Sequence, residues 1–424
     1  MKIKEVPMDG FNAYFYKTKK YSTIHINLFF EIKQSKQNIY LCDLLEEYML
    51  CTSKNYKTEK ELTDKSRELY TVSGGLFNHT VGNKIIVEMD FTFFDPKLVD
   101  DDYFKDALDF AYERIYNPNF TNGKLDKSVL KKVKNNLIGY TAEKIIHPQS
   151  KASSILWKTI APNTFISYDI IETKKEYEDL LDSFTDEDLI KMYHEIVDNS
   201  FIGMTIMGNL DDRDLENIKN TFKFKNIKKY TPKRKELVKI NDKEKYIKIS
   251  DEDLNESILY NIYTCKKYRG TQKDKNIFKA IKMILNYDTG RLIHKTLRDE
   301  MQIVYNASAS FMERAGIFTL RASIDSKNEQ KCLEGFDKLL EKLKDEKFLE
   351  EELAKIRTFI EKDMFIYDEN KYNLLNSLIN MKIFKNGSLQ KQQKLMSDIT
   401  AKDIIETVKV LEAKVTYFYE GVKK

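Results

Sequence analysis

The chain has 424 residues, of which 42% are hydrophobic, 33% charged and 12% aromatic. At about 100–200 residues per domain this is room for two to four domains, and the aromatic content excludes extended disorder. No run of about 18 apolar residues occurs, which excludes a membrane-spanning helix. The net charge is only +4, which argues against a polyanion-binding protein as a whole.

The N-terminal residues, MKIKEVPMDGFNAYFYKTKK, lack the apolar core and the small-residue cleavage site of a secretion signal. A cytoplasmic location is therefore expected. Residues 21–32 (YSTIHINLFFEI) and 84–94 (KIIVEMDFTFF) read as strands. Residues 40–51, 101–116, 126–145 and 186–196 carry helical apolar spacing. A basic stretch follows at 223–248, with eleven Lys or Arg against three acids. It contains Pro232, the last proline, and reads as a solvated linker between two halves. It carries only three aromatics and no Arg–Gly pattern, so nucleic-acid binding is not expected. Beyond it, 273–286 and 328–345 read as helices and 316–324 as a strand.

Both halves end alike. SFTDEDLIKMYH at 183–194 and SDITAKDIIETV at 397–408 each place Ser or Thr before an acid and a helical apolar pattern, a helix start. A β-rich run follows each, at 201–208 and 415–419. Asp188 and Asp403 are 215 residues apart (403 − 188), about half the chain, which reads as a duplicated domain. Domains are expected at 1–222 and 249–424.

Four cysteines form no C-x-x-C pair and are expected as reduced thiols. The five histidines, His25, His79, His147, His194 and His294, are far apart, so no local His-based zinc motif exists. Asp43, Glu46 and Glu47 share one face of a helix. They read as a solvated acidic turn rather than a calcium or magnesium site.

The strongest motif is GRLIHKTLRDEMQIVY at 290–305. It resembles the second-domain signature of the insulinase/pitrilysin family of zinc peptidases: Gly or Ser before Arg-Leu, then Leu-Arg-Glu, then Tyr seven residues after the Arg. The resemblance assigns that pair to Arg298 and Tyr305, a cationic fork and a phenol that hydrogen-bond substrate near the scissile carbonyl. In the first half the family carries an H-x-x-E-H zinc helix. The matching CDLLEEYML at 42–50 has Asp43 and Glu47 in place of the two His, and keeps only Glu46. GGLFNHT at 74–80 aligns Gly75 and Asn78 with the family's substrate-strand motif, read as leading into an edge strand at 84–94. After the turn Asn117-Pro118-Asn119-Phe120, the third ligand falls on Asn136, or on Asn135 with a slipped register.

The resemblance implies an α+β fold: two homologous domains, each a largely antiparallel sheet covered by helices, together forming half of a clamshell chamber. It implies a non-catalytic subunit with no metal of its own. The expected partner is a homologous zinc-bearing subunit in a heterodimer, and the substrate an unstructured peptide added to the partner's sheet edge. The alternatives are a pseudopeptidase that only binds or scaffolds, a self-sufficient protease with an unusual metal site and, third, a nucleic-acid binder using the basic stretch, which salt-dependent binding would reveal.

Overall fold

The computed structural model describes residues 2–99, 102–233, 236, 238–286, 291–367 and 369–422. The first half runs β1 (Ile3–Pro7), β2 (Asn12–Lys17), β3 (Thr23–Lys33), α1 (Lys36–Cys51), α2 (Glu59–Glu68), β4 (Ser73–Val81) and β5 (Lys84–Phe94). It continues with α3 (Tyr103–Tyr116), a short hairpin β6 (Phe120–Thr121) and β7 (Lys124–Leu125), α4 (Lys127–Ile146), α5 (Pro148–Ile160), α6 (Lys174–Ser183), α7 (Asp186–Asn199), β8 (Phe201–Gly208) and α8 (Asp212–Thr221). The second half runs β9 (Tyr246–Asp251), β10 (Ser257–Cys265), α9 (Gln272–Asn286), a π-helical turn (His294–Glu300), β11 (Val304–Met312) and β12 (Ile317–Ile324). Then follow α10 (Glu329–Lys342), α11 (Glu346–Tyr367), α12 (Lys371–Lys382), α13 (Leu389–Ser397), α14 (Ala401–Val408) and β13 (Leu411–Gly421).

Two sheets result, ordered β1-β2-β8-β3-β5-β4 and β11-β12-β10-β13-β9. Reading outward from β4 or from β11, the pairings follow one pattern: three antiparallel contacts, then one parallel contact, β8 with β2 and β13 with β9. The duplication inferred from the 215-residue offset is thus repeated in five strands of each sheet, and β1 has no counterpart among the described residues of the second. Its marker also holds. Thr185 with Asp188 and Thr400 with Asp403 each form a reciprocal capping box, which satisfies N-terminal N–H groups that the helix itself leaves unpaired.

The central strand β3 is buried on both faces. Ile24, Ile26, Leu28, Phe30 and Ile32 enter the core shared with α1, α3 and α7, whereas Phe29, one residue out of phase, enters a second cluster with Leu374, Leu375, Leu378 and Ile379 of α12. Period-2 alternation divides the strand between two apolar layers.

Two segments are exchanged between the halves. One compact unit comprises 1–145, 168–232 and 371–386; the other comprises 146–167, 233–370 and 387–424. A cut at 223–248 keeps each sheet nearly whole, yet it assigns α5 and α12 differently from the packing. α12 covers the first sheet; α5 is tied to the second sheet by Lys151 Nζ to Asp251 of β9 at 2.6 Å and by Arg321 of β12 donating to Gln149. The two are 223 residues apart at their first residues (371 − 148), so the exchange is itself part of the repeat.

The basic stretch is not a solvated linker throughout. Phe224 stacks on Phe201 with centroids 3.7 Å apart, Tyr230 is buried against Phe384, and Tyr246 already begins β9. Aromatic burial outweighs the local charge there.

Candidate functional site

Asp43 and Glu46 project from α1, capped at its start by Ser35, toward the edge strand β4. Asn78 of β4 joins them. Its side-chain amide donates to Asp43 Oδ1 at 2.8 Å and to Glu46 Oε2 at 2.8 Å, and its backbone N–H donates to Glu46 Oε2 at 3.0 Å. That N–H therefore points away from β5, on the free edge of the sheet, where Glu46 occupies it. The Gly-Gly-x-x-Asn motif lies inside this edge strand. The strand at 84–94, expected at the edge, is its inner neighbour.

Both glycines are required. Gly74 has φ +154°, and a Cβ there would stand 2.3 Å from the Asp90 carbonyl oxygen; at Gly75 it would stand 2.4 Å from Leu50 Cδ2. Gly75 thus allows β4 to close onto α1.

Burial pushes the Asp43 carboxyl up to about 6, with Asp169 and Glu47 adding to the effect and the Asn78 hydrogen bond opposing it. Burial pushes Glu46 up to about 7, reinforced by Asp43 and Glu47 against the Asn78 hydrogen bonds. On the other face of the sheet burial raises Glu88 of β5 to about 7 as well, against the Asn27 hydrogen bond. At these three groups the folded chain holds more protons than the unfolded one from about pH 4 to 7, so they stabilise it at low pH and lose that contribution as pH rises through 6–7. His25, lowered by burial to about 4, acts in the opposite sense and offsets part of it. Thermal melting at pH 8 is expected to fall below that at pH 5.5, by about 1–2 kcal/mol per group. Glu88→Gln is expected to flatten the drop; a variant as pH-dependent as the parent would exclude Glu88 as a source.

The family's zinc does not fit here. Asp43 and Glu47 offer carboxylates where imidazoles are expected, one oxygen each of Asp43 and Glu46 is engaged by Asn78, and Asn135 and Asn136 are exposed on α4. Among the described residues no cluster of three or more His, Cys, Asp or Glu could hold a metal ion. The purified chain is expected to carry no stoichiometric zinc, with one tightly held equivalent by elemental analysis as the contrary result. Asp43→His with Glu47→His is expected to restore little affinity, because Asn136 supplies no carboxylate.

The second candidate site is built on local irregularity. Gly290 of the motif lies outside the described residues. From His294 to Glu300 the chain forms a π-helical turn, with Met301 N bonded to Thr296 O five residues back, and Gln302 then takes φ +56°. Inside the turn Leu297 is fully buried; a Cβ on Gly335 of α10 would stand 2.3 Å from its Cδ2. Glycine at 335 is what lets the turn seat. Arg298, the next residue, is exposed.

Tyr305 follows on β11, an edge strand. The register against β12 passes from Val304–Ile324 to Asn306–Ser323, so Tyr305 is the extra residue of a β-bulge. A bulge re-aims its side chain, and Tyr305 is 57% exposed. No hydrogen bond or ion pair joins Arg298 or Tyr305 to another described residue. Two donors are thus held by a π-turn and a bulge, both irregularities that concentrate at functional sites. The sequence pattern pointed to the pair but not to Leu297 and Gly335 beneath it. Nor did it point to Asn286 of α9, which clasps the β11 edge by donating to Ala309 O at 2.7 Å and accepting from Ala309 N at 2.8 Å.

Residues 183–359 match the family described as the peptidase M16 inactive domain. Over this part the chain carries the inactive type of M16 peptidase domain, and the match covers less than half of its length. No curated protein resembles it closely enough in sequence to be matched. Among solved structures, this chain is similar to a conserved protein from Enterococcus faecalis V583, with TM-score 0.85 and 20% identity over 100% of this chain and 99% of that one. A protease from Helicobacter pylori gives TM-score 0.74 and 15% identity over 99% of each chain. The periplasmic protease PqqL from Escherichia coli gives TM-score 0.69 and 12% identity over 97% of this chain but 44% of its own. At these identities the likeness is one of fold. The fold has the expected α+β architecture, with helices covering each sheet, and no helix of the described residues is long and apolar enough to cross a membrane.

Proposed function

We propose that this chain is the non-catalytic subunit of a heterodimeric zinc peptidase acting on unstructured peptides. It would donate Arg298 and Tyr305 to the active site of a homologous zinc-bearing partner. The observation that carries this reading is the pairing of losses and survivals. The zinc-helix positions hold Asp43 and Glu47, whereas the Arg/Tyr pair is exposed on a π-turn and a bulge, with no hydrogen-bond or ion-pair partner among the described residues. The cap that Glu46 places on the Asn78 N–H supports a substrate strand on the partner's sheet edge rather than on this chain's β4. The match of this chain to less than half of PqqL fits a protein whose complete form needs two such halves.

The chemistry asked of the pair is modest. A peptide carbonyl attacked by a zinc-activated water gathers negative charge on oxygen. The Arg298 guanidinium and the Tyr305 phenol each offer donors to that oxygen, and they contribute most where the charge is largest, in the transition state. Zinc and the water base would come from the partner.

The test is to mix this chain with a similar-length chain carrying an intact H-x-x-E-H, and to follow hydrolysis of a quenched fluorescent peptide. Activity in the mixture, absent from either chain alone, is the expected result. A zinc-bearing chain as active alone as in the mixture would reduce this chain to a scaffold.

A further inference from the structure

We propose that the acidic cluster formed by Tyr40, Asp43, Glu46, Glu47 and Asp169 binds the primary ammonium group of a peptide. Four carboxylates gather here. Asp43, Glu46 and Glu47 share a face of α1, and Asp169 is close enough to act on both Asp43 and Tyr40. None of the four has an ion-pair partner among the described residues, in a chain whose other acids are widely paired. The charge of Lys144 of α4 acts on both Asp43 and Asp169, and it forms no ion pair with either among the described residues.

Tyr40 supplies an independent observation. It lies one helical turn before Asp43, on the same face. It is 6% exposed, packed edge-on against Tyr177 with centroids 5.4 Å apart, and its buried hydroxyl has no hydrogen-bond partner among the described residues. A buried hydroxyl left unsatisfied is destabilising, and carboxylates held partly out of water without a counter-ion add to that. A ligand that donates to the hydroxyl and neutralises the carboxylates removes both penalties.

The donor set selects an ammonium rather than a metal. Calcium and magnesium need about six oxygens converging at about 2.0–2.6 Å, and Asn78 already engages an oxygen of Asp43 and one of Glu46. An ammonium needs only three acceptors, at ordinary hydrogen-bond length, and a flexible stem lets it reach acceptors that do not converge tightly. Asp43, Asp169 and the Tyr40 hydroxyl, which lie close enough to act on one another, provide that number. The amine can come from a peptide N-terminus or from a lysine side chain.

The inference does not rest on the partner and is tested on the full chain alone. One unstructured, lysine-free hexapeptide is used in free-amine and N-acetylated forms, together with an N-acetylated form bearing one lysine. Binding is measured by calorimetric titration at pH 8 and low salt. One or both amine-bearing peptides are expected to bind at least tenfold tighter than the acetylated lysine-free form, and which one does so identifies the source. Asp43→Asn is expected to weaken that binding about tenfold, and Tyr40→Phe severalfold with a melting temperature that stays level or rises, since the unsatisfied hydroxyl is removed. Equal affinity for all three peptides, or no binding of either amine-bearing form, overturns the proposal. So does displacement of the peptide by millimolar calcium chloride, which would make the cluster a metal site. Failure here leaves the mixing experiment untouched.

Discussion

Arg298→Ala is expected to lower peptide turnover by the mixed complex about a hundred- to thousandfold, equivalent to losing one oxyanion donor at about 2.7–4 kcal/mol. Tyr305→Phe, which removes only the hydroxyl, is expected to fall in the same range. The two kinetic constants report how the donors act. A contact made only in the transition state lowers kcat and leaves KM alone, whereas one that holds substrate in both states raises KM. Melting of the chain itself should barely move, since both side chains are exposed and Tyr305 sits on a bulge outside the β11–β12 register. Full activity in both variants, with the complex assembled, would make the chain a scaffold. Loss of assembly instead would make the pair structural.

Leu297→Ala is expected to have the largest effect on stability, and to reach the same chemistry indirectly. Leu297 is fully buried and fills the space that glycine leaves at position 335. Truncating a buried leucine costs about 2–5 kcal/mol, through lost burial and the cavity left behind. The π-turn it anchors carries Arg298 on the next residue. A loosened turn spreads the guanidinium over more positions, and misplacement of about an ångström is enough to cost about a hundredfold in rate. Denaturant unfolding and turnover by the mixture should therefore fall together. A variant with wild-type stability would mean that Leu297 is not the anchor. A destabilised variant with full turnover below its melting temperature would mean that Arg298 is held by something else.

The regular elements were legible because their signals are local. Alternation in TIHINLFFEIK marks β3, and the two Thr-x-x-Asp boxes mark the starts of α7 and α14. The same boxes showed the duplication, since their spacing survives wherever the chain between them goes. The Arg/Tyr pair was legible as a pattern. Its support was not, because a π-turn and a bulge depend on what packs beneath them, and Gly335 lies 38 residues after Leu297 (335 − 297). β4 was missed as a strand because two glycines weaken its β signal, yet those glycines are what close it onto α1. Arg114 is another case. It is held largely out of water beside Gly75, its Nε has no acceptor, and burial lowers its pKa to about 10. Nothing in ERIYNP hints at that. The buried ends of the basic stretch were hidden by their lysines, which stay in water while Phe224 and Tyr230 do not.

The exchange of α5 and α12 bears on how the chain is made. The first unit ends its main run at residue 232, but the helix that covers Phe29, Ile86 and Met207 begins at 371. At about 5–20 residues per second, roughly ten to thirty seconds of synthesis separate the two. During that interval one face of the first sheet, apolar around Phe29, has no lid, and the nascent chain presents a surface for chaperones or for its own neighbours. A fragment stopped at residue 232 would carry the same exposed face permanently. The halves of this protein are duplicates in topology, but neither is complete until nearly the whole chain has been translated.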